Sequence, residues 1–274
     1  MPIIADVNRL IALIVDTFKQ MGRGTIWLIL LAYFLLQWLV LYAHYDFSSP
    51  LFAGMMNGWV TLVNNDRAVP FTHYPSHVLL LPYYFGWARF FVGMIVEGTV
   101  LGLVAVLFAN SYRRPATTDR LLLSVTLRRW LQFVFGWLLL NGVLLLVNAV
   151  LPDLFAPLIA GSPRRELAFE LGLLPLIYCV VLSFCFLVVP SIAVFGDNIL
   201  QAIGRSVRVW RRRPVAIFVL SAIILVVPVL ISAAVGRADV LVDKFKPDLV
   251  YWLLVIGIGA DFFINFFWMG SAVG

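Results

Sequence analysis

The hydrophobic positions of this chain gather into long unbroken runs, with polar and basic residues confined to the segments between them. A helix needs about 20 mainly apolar residues to cross the hydrocarbon core of a bilayer. Six runs meet that requirement, at residues 25–44, 84–110, 130–151, 170–190, 214–234 and 249–270. Each is expected to be a helix, because an isolated strand would leave its backbone N–H and C=O groups unpaired in hydrocarbon. The pattern predicts an all-α fold, a polytopic transmembrane helix bundle of about six spans, with residues 1–274 forming a single integral membrane domain.

The periodicity differs between the runs. In residues 1–24, Val7, Leu10, Ile11, Ile14 and Phe18 recur at helical spacing, while Asp6, Arg9, Asp16 and Lys19 fall mostly off that stripe. This is the pattern of an amphipathic helix lying in the cytoplasmic interface. The basic segment 195–213 reads the same way, with Ile199, Ile203, Val207 and Trp210 on one side; Arg205, Arg208, Arg211, Arg212 and Arg213 are placed for lipid phosphates. A shorter version, with Leu121, Leu122 and Val125, lies within the basic segment 111–129. The order interfacial helix, outward span, inward span therefore recurs three times. Residues 45–83 form the longest connection, an outer loop whose apolar stretch 51–63 is expected to be a short helix on, or dipping into, the membrane.

Composition agrees with lipid as the solvent. Hydrophobic residues make up 62% of the chain and charged residues 12%, against about 45–50% and 25% in soluble domains. Thirteen Lys and Arg fall in the N-terminal segment and the second and fourth connections, six fall on the other side, and Arg89 lies within a span. The positive-inside rule then places both termini in the cytoplasm. The net charge of +6 sits beside apolar runs, so anionic headgroups at the cytoplasmic face are the expected partner, and nucleic acid is not. The start of the chain, interrupted by Asp6, Asn8 and Arg9, does not read as a cleavable signal. The short ending after the sixth run is expected to leave no tail for a soluble partner. Cys179 and Cys185 are six apart on one helix and are not expected to pair.

Charge inside a bilayer is costly and marks candidate function. Glu97 and Asp261 each lie about halfway along an inward span, at expected similar depth, with Ser183 at the matching place in the fourth span. Arg89, Gly93 and Glu97 share one face of the second helix, and Gly257, Asp261 and Asn265 one face of the sixth; Asn141 lies on the third. Together they predict a polar seam inside the bundle. Either it binds a cation, a proton or a headgroup, or it is a packing element, with Arg89 paired to Glu97. The small residues beside it, including Gly98 and Gly102, suit close helix contacts. His73 and His77 have metal-ligand spacing on a helix, but Pro75 lies between them and no Cys or carboxylate cluster completes a site. No cofactor is expected: a phosphate loop, a nucleophile elbow and a His-Glu-x-x-His helix are all missing from the sequence.

Pro190 at the end of a span, the Ala202-x-x-x-Ser206 step and the basic run Arg211-Arg212-Arg213 before Pro214 carry a resemblance. This stretch resembles a broad group of poorly characterised bacterial six-helix membrane proteins, including the membrane domain attached to some glycerophosphodiester phosphodiesterases. The resemblance implies six-helix architecture and a bacterial cytoplasmic membrane, and no reaction, because the chain carries no phosphodiesterase domain. The leading expectation is a non-catalytic membrane subunit or accessory protein interacting with lipids, other membrane subunits or further copies of itself. The alternatives are a transporter or permease using an intramembrane acidic site, and a membrane-embedded lipid enzyme.

Overall fold

A computed structural model describes residues 2–46, 50–112, 124 and 126–273, and every regular element among them is helical. The order is α1 (Pro2–Lys19), α2 (Gly24–Tyr45), α3 (Pro50–Val63), α4 (Asn65–Phe71), α5 (Ser76–Tyr112), α6 (Trp130–Ile159), α7 (Pro163–Phe195), α8 (Ile199–Arg212), α9 (Pro214–Val235), α10 (Ala238–Lys244) and α11 (Leu249–Val273). Six of these, α2, α5, α6, α7, α9 and α11, are long and apolar enough to cross a membrane. The protein is a polytopic helical membrane protein.

The expected spans fall on these six helices, but α5 begins eight residues earlier than the run that predicts it, α7 seven earlier, and α6 ends eight later. A helix does not stop where hydrocarbon ends: the intrahelical hydrogen-bond ladder continues into the headgroup region wherever no breaker intervenes. The apolar helix anticipated at 51–63 is α3, Pro50–Val63. Of the shorter amphipathic helix expected within 111–129, the apolar residues Leu121, Leu122 and Val125 fall outside the described residues, as do Arg113, Arg114 and Arg120.

Helix α11 runs through the bundle, packed against α1, α2, α5 and α9. The main core gathers Leu30, Leu101, Phe108, Phe133, Phe186, Ile192 and Met269, all at most 2% exposed. Many apolar side chains point outward, among them Leu28, Leu146, Leu154 and Leu230, each at least 60% exposed. In water such a surface is unfavourable; against acyl chains it is the low-energy arrangement.

Several cationic residues meet at one end. The Arg23 Nη1 donates to Leu107 O near the end of α5, the Arg129 guanidinium lies against Gly196 before α8, and α1 packs on the last turns of α11. This is the basic end. At the far end, Tyr45, His77 and Asp248 tie α2, α5 and the approach to α11 together. On α1, Leu10 packs on the core and Thr17 is buried, while Ile11, Val15 and Phe18 remain as an exposed apolar stripe.

Prolines shape α7 in two places. Pro175 has no N–H for the carbonyl four residues back, and the turn Phe169–Leu173 just before it widens to π geometry. Pro190 likewise leaves Phe186 O without a helical donor, and α7 breaks at Phe186 and Leu187. Side chains from two other helices take over. Trp268 Nε1 donates to Phe186 O at 3.2 Å, Leu187 N–H donates to Ser206 Oγ at 3.2 Å, and that hydroxyl donates to Phe184 O at 2.6 Å. The close fit of Ala202 and Ser206, 0% and 1% exposed, gives the Ala-x-x-x-Ser step its structural reason.

Candidate intramembrane binding site

The polar seam is built by four helices. Helix α5 carries Arg89 and Glu97, α6 carries Trp137 and Asn141, α11 carries Asp261 and Asn265, and α2 adds Tyr33 and Gln37. Glu97 closes a second π turn, Gly93–Glu97. Such single-turn widenings inside α-helices often occur at functional sites. This one shifts the residues after it around the helix axis and sets Gly98 and Gly102 against α6. A Cβ on Gly98 would lie 2.5 Å from Phe133 O, and one on Gly102 would lie 2.6 Å from the Phe133 ring. Only glycine allows the two backbones this approach. The small-residue face is therefore occupied within the chain.

Arg89 pairs with Asp261 through a direct hydrogen bond, not with Glu97. Glu97 instead accepts from two neutral donors, Trp137 Nε1 at 3.0 Å and Asn265 Nδ2 at 3.3 Å. Asn265 lies one helical turn beyond Asp261 on α11, so each carboxylate of the seam has its own partners. Asn141 Nδ2 donates to Trp137 O at 3.2 Å.

These groups surround a cavity of about 300 Å³, lined by Arg89, Glu97, Asp261, Asn141 and Asn265, with Phe90, Trp137 and Trp268 as its aromatic wall. The volume is at the small end of ligand sites. Tyr33 and Gln37 sit behind Glu97, 4% and 2% exposed, and the Tyr33 hydroxyl is near enough to feel both Glu97 and Arg89. Neither the Tyr33 hydroxyl nor the Gln37 amide completes a hydrogen bond of standard geometry. Buried polar groups left so are uncommon and call for a reason.

Ser183 lies outside this arrangement. Its hydroxyl donates to Cys179 O at 2.6 Å within its own helix, and its neighbour Leu182 faces the cavity instead. The two cysteines are unpaired thiols. Among the described residues no group of His, Cys, Asp and Glu is arranged to hold a metal. His77 is 5% exposed, its ring nitrogens facing Tyr45 O at 3.0 Å and Phe71 O at 3.3 Å, so it fastens α4 and the start of α5 to α2.

The five arginines at the basic end do not act alike. Arg205 is held within the protein: its guanidinium bonds to Asp197 at 2.6 and 3.1 Å and lies 4.1 Å over the Phe195 ring. The Asp197 hydrogen bond holds Arg205 protonated more firmly than usual. Arg208, Arg211 and Arg212 are exposed, and Arg213 borders an apolar pocket beside α1.

Sequence reasoning missed Trp137, Tyr33 and Gln37. The signal was present: Trp137 lies within the third span, away from the interfaces where Trp usually anchors, and Tyr33 and Gln37 are polar groups four apart in an apolar run. No protein-family model, no curated protein and no solved structure matches the chain.

Proposed function

We propose that the protein is a membrane permease whose central cavity binds a small organic cation. The observation that carries this reading is the charge balance of the cavity: two carboxylates face one guanidinium, and the partners of Glu97 are neutral. A carboxylate among neutral donors in hydrocarbon gains most from a mobile positive charge. The Phe90 and Trp137 rings, 5.3 Å apart between centroids, supply aromatic faces of the kind that attract cations. The accessory-subunit expectation loses one of its supports, since the glycine face is used internally. Lipid contact remains supported by Arg208, Arg211 and Arg212 beside an 80% exposed Leu200 on α8.

The test is uptake by proteoliposomes under an imposed inside-negative potential, using radiolabelled methylammonium, guanidinium and tetramethylammonium. Saturable uptake of at least one is expected, lost in Glu97→Gln although that variant keeps its thermal unfolding midpoint. Uptake equal to that of empty liposomes for all three cations rejects the proposal.

A further inference from the structure

A second polar cavity, about 220 Å³, lies between α6, α7 and α9 and is lined by Asn148, Glu170, Tyr178, Ser232 and Arg237. Its relation to the central cavity follows from three helices that line both. Helix α6 contributes Leu144 to the central cavity and Asn148 to this one; α7 contributes Leu182 and Tyr178; α9 contributes Leu225 and Val229. Each pair is four residues apart, one helical turn or about 6 Å. Helices α6 and α9 run away from the basic end and α7 runs toward it, so all three offsets point the same way. The second cavity is therefore stacked on the first toward the far end, and Leu144, Leu182 and Leu225 form an apolar layer one turn thick between them.

Its lining is polar although the helices around it are apolar, and Asn148, Glu170, Ser232 and Arg237 in it are exposed. Tyr178 donates to Asn148 Oδ1 at 3.0 Å, and Arg237 reaches Glu170 at 3.6 Å across the gap between α9 and α7. The two members of that ion pair are 55% and 45% exposed. A pair so open to solvent adds little stability and parts easily. Asn141 and Asn148, two turns apart on α6, continue the same polar stripe from one cavity to the next.

We propose that this cavity is the vestibule through which the solute reaches the central site. The leucine layer is the barrier, and the Arg237–Glu170 pair is the latch at its mouth. The proposal rests on the solute-binding reading above, but it concerns access and is tested without transport.

The experiment uses the full chain with Cys179→Ala and Cys185→Ala, in sealed proteoliposomes, and a membrane-impermeant cationic methanethiosulfonate as probe. Single cysteines are placed by Asn148→Cys, Leu144→Cys and, as a lipid-facing control, Leu146→Cys, which is 62% exposed in the bundle. Asn148→Cys is expected to react from one side only, about tenfold or more faster than Leu144→Cys, because the charged probe must pass the apolar layer to reach the latter. Adding Arg237→Gln should speed the reaction at both positions several-fold and leave the control unreactive. The proposal is overturned if Asn148→Cys reacts no faster than the control, or if Arg237→Gln changes neither rate. A graded labelling pattern without cation uptake rejects the solute reading alone; a flat pattern with uptake rejects the vestibule alone.

Discussion

The Arg89–Asp261 pair offers the most direct measure of how the bundle holds charge. Asp261→Asn keeps the side-chain shape and strands the guanidinium; Arg89→Gln strands the carboxylate. The Arg89 side chain is 36% exposed and that of Asp261 15%. Removing one partner of a fully buried pair costs about 3–5 kcal/mol, and exposed pairs are worth about 0–1 kcal/mol. Partial exposure of Arg89 to the cavity puts Asp261→Asn between these limits, at about 2–3 kcal/mol, since cavity water still reaches the stranded guanidinium. Arg89→Gln should cost somewhat more, because the carboxylate it leaves is the more buried group. The double variant carries two neutral amides of suitable size and should lie within about 1 kcal/mol of the parent, giving a coupling of at least about 2 kcal/mol. Unfolding free energies from SDS titration in mixed micelles, followed by tryptophan fluorescence, measure all four corners of the cycle. Additive single effects, with coupling under about 0.5 kcal/mol, would refute the reasoning.

Three further outcomes are expected. Gly98→Ala should destabilise by about 1–3 kcal/mol, because the new methyl meets the Phe133 carbonyl and neither backbone can yield without moving its helix; Gly54→Ala, with open space around it, should not, and equal thermal shifts would contradict the close contact. Ser206→Ala should cost about 1–2 kcal/mol by removing a donor to Phe184 O and an acceptor for Leu187 N–H, and should raise amide exchange at Leu187. In the cysteine-free background, Arg211→Cys and Asp66→Cys should be labelled from opposite sides of sealed vesicles; labelling from the same side would disprove the arrangement of basic and far ends.

The spans were readable because the cost of an unpaired amide in hydrocarbon leaves one solution for a long apolar run. The individual polar positions were readable too, since Arg89, Glu97, Asp261, Asn141 and Asn265 stand out against apolar neighbours. Their pairing was not. Whether Arg89 meets Glu97, eight residues away on its own helix, or Asp261 on another depends on how α5 and α11 are offset, and the π turn at Gly93–Glu97 alters that offset without a proline to announce it. Ser183 illustrates the converse. Its matching position along the fourth span suggested a role, but a hydroxyl in hydrocarbon is satisfied most cheaply by the carbonyl one turn back, and it turns to Cys179. The six-residue offset of the two cysteines, by contrast, needed only helix geometry, and they are unpaired.

The glycine contact between α5 and α6 has a mechanical side. Two helices whose backbones touch at Gly98 and interlock at Gly102 cannot slide or tilt against each other without collision. They act as a fixed frame, with Glu97 and Trp137 mounted on it. Helix α7 is interrupted at Phe186 and Leu187 and widened before Pro175; its far half carries no contact of this kind, and its glycine there, Gly172, meets no neighbouring helix. A rearrangement that changes the size of the central chamber is therefore expected in the helices that face this frame across it, α7, α9 and α11, and not in the frame itself.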